Sequence, residues 1–307
     1  MVPLIIIYNH RFDQNIEKLN KIYGERFSKI YHLVPFYDGD LPNVIPVFEE
    51  SFYFHGYVPQ CKYIIEKLNC DHFFFIGDDL ILNPAINEIN LTEQLGLKKS
   101  SGFLPWHWGM LSDISLEWPN LFQSINSFYL EDILLHHAPN WKKELPSRED
   151  AIQIFKKYNF ETGKIKFKNL KGKNGSYKYP RFKISKQNYF KLLRKKRRSL
   201  PYPLLAAYSD IFIVSKENLD SFSKYCELFR RMKLWVEVAL PTAMLLSHRD
   251  VKFEKDGDWN GTTYWENENI NEMNSRFERL NYDFSSFEND MDENELYVHP
   301  VKLSKWK

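Results

Sequence analysis

Short unbroken aliphatic runs alternating with amphipathic stretches constrain this chain more than any other feature. Residues 4–8 form a continuous apolar run that empties into Asn9-His10-Arg11, the pattern of a strand buried on both faces and followed by a loop. Ile16, Leu19, Ile22 and Tyr23 then recur at helical spacing, Gly24 offers a stop, and residues 29–34 return as a second apolar strand. Val58, Cys61, Ile64, Ile65 and Leu68 make another helical face ahead of His72-Phe73-Phe74-Phe75-Ile76, again a buried strand. Strand, helix and strand in succession predict an α/β chain: an open, Rossmann-type parallel sheet with helices on both faces.

Composition agrees with a large packed core. Among 307 residues, 43% are hydrophobic, and 24 Phe, 18 Tyr and 8 Trp are too much aromatic mass for a disordered chain. The 42 basic and 40 acidic side chains leave a net charge of +2, so global charge does not argue for a nucleic-acid partner. The balance hides segregation: residues 164–198 hold 15 Lys or Arg and no acid, whereas residues 254–295 hold 13 acids and three bases. Cys61, Cys70 and Cys226 have no paired spacing and read as packing residues of a reducing compartment. The apolar run at the start is far shorter than the roughly 20 residues a bilayer needs, so a cytoplasmic protein is expected.

In open α/β sheets ligands collect at the carboxyl ends of the strands, which places Asn9-His10-Arg11 beside Gly77-Asp78-Asp79-Leu80. Two carboxylates at a strand end suit a hard divalent cation bridging a diphosphate; the competing reading is a turn-capping Asp79 with a solvated Asp78. Further along, residues 209–215 read as a strand, and Leu219, Phe222, Cys226, Phe229 and Met232 as a helix capped by Ser215. In the apolar run of residues 234–241 a lone acid, Glu237, is either buried or lines a pocket, and Pro241 suits the first turn of a helix over residues 242–247. No glycine-rich phosphate loop, GxSxG elbow or HExxH motif occurs.

Taken in order, the strand-helix-strand opening, HFFFIGDDLILNP, SDIFIVS, LWVEVALPTAM and a closing LYVHPVK resemble nucleotide-sugar glycosyltransferases of the GT-A fold. The resemblance implies one catalytic unit over residues 1–307: a donor-binding half (1–110), an irregular basic excursion (160–200) and an acceptor half (201–307). It assigns Asp78 and Asp79 to a D-x-D-like site for Mn²⁺ (or Mg²⁺) and the diphosphate of a UDP-sugar donor, although Gly77 stands where the motif's leading acid would be. It further implies His299 as a metal ligand, Lys302 near the phosphates, and Glu237 as the base of an inverting transfer, with Asp210 the second candidate.

Tyr8, Asn9 and Arg11 are then donor-binding candidates, since a tyrosine can stack on uracil and an arginine can meet phosphate. Trp106, His107, Trp108, Trp259 and Trp265 are candidates for a glycan or glycoconjugate acceptor, because sugar CH faces pack on aromatic planes. The basic stretch admits an anionic membrane surface or lipid-linked acceptor, a polyanion or nucleic acid in a binding protein, or a solvated face pairing with the acidic segment. A nucleotidyltransferase shares sheet and metal, but its glycine-rich basic signature near the first strand is missing.

Overall fold

The computed structural model describes residues 1–116, 118–170, 187, 190, 199–264 and 267–307. Most of the basic stretch of residues 164–198, and Trp265, therefore lie outside the described residues. The strands in chain order are β1 (Leu4–Ile7), β2 (Ile30–Pro35), β3 (Val44–Val47), β4 (His72–Gly77), β5 (Ile81–Leu82), β6 (Gly102–Leu104), β7 (His107–Met110), β8 (Leu205–Ala207), β9 (Ile211–Ser215), β10 (Val251–Phe253), β11 (Asn260–Thr263) and β12 (Glu295–His299). The helices are α1 (Gln14–Tyr23), α2 (Tyr57–Ile65), α3 (Leu91–Gln94), α4 (Pro119–Ser127), α5 (Glu131–His136), α6 (Trp141–Glu144), α7 (Arg148–Lys156), α8 (Leu219–Arg231), α9 (Val236–Ser247), α10 (Asn267–Arg279) and α11 (Phe284–Asp290).

The architecture is α/β: a seven-stranded central sheet in the order β10-β6-β9-β4-β1-β2-β3, flanked by helices. Every neighbouring pair is parallel except those made by β9, which runs against both β4 and β6. Strands from residues 1–110 and from residues 201–307 share this sheet. Alternation along β1 divides the core: Ile5 and Ile7 join Val58, Cys61 and Phe222 on one face, and Leu4 and Ile6 join Ile16, Leu19 and Phe277 on the other. A smaller sheet, β11-β12-β5, brings the C-terminal strand antiparallel to β5, just beyond the end of β4. Among the described residues no helix is long and apolar enough to cross a membrane.

Two local expectations change, and one strand appears that the sequence reading does not contain. Ser215 does not cap a helix through its side chain; it ends β9, its Oγ accepts from Asn218 Nδ2 at 2.8 Å, and α8 starts after a 3₁₀ turn over Lys216–Asn218. A third strand, β3, is present where the sequence shows only a short run broken by Pro46, and that proline is tolerated because β3 is an edge strand. Most consequentially, residues 236–241 are not a segment preceding a helix but the first half of α9, with Pro241 inside it. A helix apolar all round belongs in the interior, and residues 236–246 are all buried.

The join between parallel and reversed strands is a cross-strand ring pair: Phe75 and Phe212, register partners on β4 and β9, stack with centroids 4.6 Å apart and planes 6° off parallel. Both are fully buried. Phe75→Ala should cost about 3–5 kcal/mol in urea-unfolding experiments, and a loss below about 1 kcal/mol would show that the pair does not hold β9 in place.

Candidate functional site

The chain leaves β1 toward β2 on one side, while β4 lies on its other side, so the crevice between the carboxyl ends of β1 and β4 is a topological switch point. Backbone bonds fix the local frame: Asp78 N–H donates to Ile7 O at 2.9 Å and Gly77 N–H to Asp210 O at 2.7 Å. Successive residues leaving β4 then face opposite ways. Asp78 turns toward α1 and accepts from Asn15 Nδ2 at 2.9 Å, whereas Asp79 turns toward β12, where its Oδ1 meets His299 Nε2 at 3.1 Å. The Asp79 carbonyl also accepts from Val301 N–H at 2.6 Å, so backbone and side chain together dock the C-terminal strand.

Asn9 lies between the acids, its backbone N–H toward Asp78 and its side chain toward Asp210, and favours the charged form of each. Tyr208 lies beside Asp210 and favours its charged form. The Tyr208 ring stacks on Tyr297 at 5.8 Å and tilts toward His299 at 5.6 Å, forming an apolar wall under the carboxylates. Gly77 explains how they fit. A Cβ there would stand 3.2 Å from Asp79 Oδ1 and 3.5 Å from Asp210 Cβ, so the space of a side chain at 77 is filled by acids arriving from the next turn and the next strand.

The protonation equilibria follow from this crowding. Burial, then the charge of Asp79, pushes Asp78 up to about 7 against the bonds from Asn15 and Asn9. Burial also raises Asp210, opposed by His299 and reinforced by Asp79. Desolvation would raise Asp79, but the charge and hydrogen bond of His299 hold it below the usual carboxylate range. Burial would lower His299, yet the attraction of Asp79, with Asp210 and Asp78 behind it, raises it. Asp79 is the accessible member of the set, its side chain 36% exposed, while Asp78, Asp210 and His299 are buried.

Glu237 sits in the first turn of α9, buried, beside Ser209, whose hydroxyl donates to Ala207 O at 3.3 Å. Its Oε2 has no hydrogen-bond partner among the described residues. Burial and the neighbouring charge of Asp210 raise its affinity for a proton well above that of a free carboxyl. Trp235, the residue just before α9, packs on Trp108 at 5.9 Å, and Trp108 meets Trp106 at 6.5 Å. An aromatic row thus leads from the 48% exposed Trp106 to the helix carrying Glu237.

Asp78, Asp79, Asp210, His299 and Asn9 are brought together, with Glu237 beside them, while other candidates fall elsewhere. Tyr8 is fully buried; its hydroxyl donates to His32 Nδ1 at 2.9 Å and His32 Nε2–H to Asn20 Oδ1 at 2.9 Å, so its ring is not offered to a base. Arg11 is held by Asp13 and by Asp38 at 2.6 Å and donates to Phe36 O, which makes it a clamp between loops. His107 points away from Trp106 and Trp108, as strand alternation requires, into contact with Phe160 and Phe253, with Lys255 Nζ at 3.0 Å. Trp259 packs on the opposite core and donates to Gln94 Oε1, outside the aromatic row. Lys302 is exposed, three residues beyond His299.

Asn15, Tyr208 and Tyr297 carried no sequence signal, because their partners lie 63 or more residues away or on another sheet. Among the described residues no three His, Cys, Asp or Glu side chains form a ready metal cluster. No protein-family model matches the chain, and a search of curated proteins returns no match.

Asp78 binds its proton more tightly folded than unfolded, so its contribution to stability is complete below about pH 4 and is lost as pH rises through about 7. Asp78→Asn should flatten that decline by up to about 1.4 kcal/mol per pH unit across this window in pH-resolved denaturation. An unchanged slope would place the titrating proton elsewhere.

Proposed function

We propose that the chain is a nucleotide-sugar-dependent glycosyltransferase of the GT-A fold, moving a sugar from a UDP-sugar donor to a hydroxyl of a glycan or glycoconjugate. The observation that carries the reading is the meeting of Asp79 with His299, 220 residues apart, at the switch point of the sheet, with buried Glu237 alongside.

Asp79 and His299 are the residues that would hold a divalent cation. The donor set fits: a partly exposed carboxylate oxygen and an imidazole nitrogen favour Mn²⁺ over Mg²⁺, and with only two protein ligands the remaining positions fall to phosphate oxygens and water. Such a cation neutralises charge growing on a departing diphosphate. Protonated His299 occupies the same Asp79 oxygen, so acid competes with metal for the pair. Asp78, bound to Asn15, braces the loop rather than presenting a free carboxylate, and exposed Lys302, three residues beyond His299, would supply positive charge for a phosphate.

The acceptor would enter along Trp106 and Trp108. Its hydroxyl oxygen forms the new bond to the anomeric carbon, the bond from that carbon to the diphosphate oxygen breaks, and UDP keeps the electron pair. The hydroxyl proton passes to Glu237, whose burial beside Asp210 gives it the proton affinity a general base needs. Asp210, flanked by Asn9 and Tyr208, serves to orient the donor sugar. The basic stretch of residues 164–198 would dock an anionic membrane or lipid-linked acceptor.

Calorimetric titration with UDP, GDP and CDP, each with and without Mn²⁺, tests the reading. Manganese-dependent UDP binding, weakened at least about 10-fold in Asp79→Ala and His299→Ala, is expected. Binding of none of the three, or binding indifferent to Mn²⁺ and to both substitutions, would overturn it. Glu237→Gln should bind UDP as the parent chain does and lose roughly 10²–10⁴ in transfer rate.

A further inference from the structure

The burial of Tyr8 leaves the proposed donor without the ring expected to receive its base. The carboxyl edge of the sheet offers another pair. Phe36 follows β2 directly and Phe48 follows β3 directly, and both strands are parallel to β1 and β4, so the two rings emerge at the same edge as Asn9 and Asp79. Phe36 N–H donates to Val47 O at 2.9 Å and Phe48 N–H to Gln60 Oε1 at 2.8 Å, which fixes both backbones. The rings meet edge to face, centroids 5.9 Å apart at 75°, yet they are 60% and 62% exposed.

Two features distinguish this pair from scattered surface rings. Phe36 has φ of +53°, a left-handed conformation that is an outlier for a bulky residue. No core burial repays it, since the ring remains in solvent; strain kept without burial points to use of the residue. The turn is also wired to the candidate site, because Arg11 Nη1 donates to Phe36 O and the same loop carries Asn9, which lies beside Asp78 and Asp210. With neighbouring strands about 4.8 Å apart, the ends of β2 and β3 lie two and three strand spacings, about 10 and 14 Å, from the end of β4. That separation leaves room for a ribose between a diphosphate at Asp79 and a flat base at Phe36.

We propose that Phe36 and Phe48 form an aromatic platform on which the nucleobase of a nucleoside diphosphate stacks, a role that rests on the donor reading above. The exposed π-face of Phe36 takes the base, Phe48 supports it edge-on, and Arg11, held by Asp13 and Asp38, keeps the platform in register with the diphosphate end.

Phe36→Ala, Phe48→Ala and Phe36→Trp would be titrated with UDP plus Mn²⁺ and, separately, with inorganic diphosphate plus Mn²⁺, which lacks a base. Each alanine should weaken UDP roughly 10-fold, leave diphosphate binding within about 2-fold, and leave thermal unfolding unchanged, while Phe36→Trp retains UDP affinity. If the parent chain binds UDP with Mn²⁺ and both alanine variants match it, the platform falls and the donor reading stands. If the parent chain binds no nucleotide, both fall. Sedimentation of the same variants covers the remaining occupant: a dimer that becomes monomeric without loss of UDP affinity would reassign the rings to contact between copies and overturn the proposal.

Discussion

The contact between Asp79 and His299 organises this molecule. It joins the end of β4 to the end of β12 at 3.1 Å, and the Val301 N–H bond to Asp79 O repeats the link through the backbone. The small sheet β11-β12-β5, the Tyr297 and Tyr208 rings, and the Trp306 cluster beneath α10 and α11 all take their place from that docking. Four acids are held together, and burial and neighbouring charges push their proton affinities apart: His299 holds Asp79 down, while burial raises Asp78, Asp210 and Glu237. Carboxylates separated in this way can divide labour, one holding charge while another accepts a proton.

Several sequence motifs change meaning once folded. The adjacent Asp78 and Asp79 read as a pair, yet they point to opposite sides, one into a brace with Asn15 and the other toward the open crevice. The absence of a leading acid at Gly77 reads as a defect in a metal motif; in the fold, the space there is taken by Asp79 and by Asp210 arriving on the reversed strand β9. Glu237 stands out in the sequence as an isolated acid in an apolar run, and its placement in the first turn of a buried helix gives that anomaly a location beside Asp210.

Legibility followed the range of the interactions. The strands β1, β2 and β4 and helices α1 and α2 were readable because periodicity is local, and the carboxyl-edge rule then placed Asn9 and Asp79 together. Tyr8 was misread because nothing local reveals that His32 and Asn20 would bury its hydroxyl, and His107 because its orientation depends on the register of β7. Trp259 and Trp106 look equivalent as tryptophans and lie in different packing environments.

The sequence by itself determined an α/β chain, its first parallel strands, and the titratable residues Asp79, Asp210, Glu237 and His299. Hydrophobic period and residue chemistry suffice for that, since both are carried by near neighbours along the chain. Only the tertiary structure decided which of those residues meet, which ring faces solvent and which tyrosine is buried. The deciding contacts cross from strand to strand and from one end of the chain to the other, and no local preference encodes a partner 220 residues away.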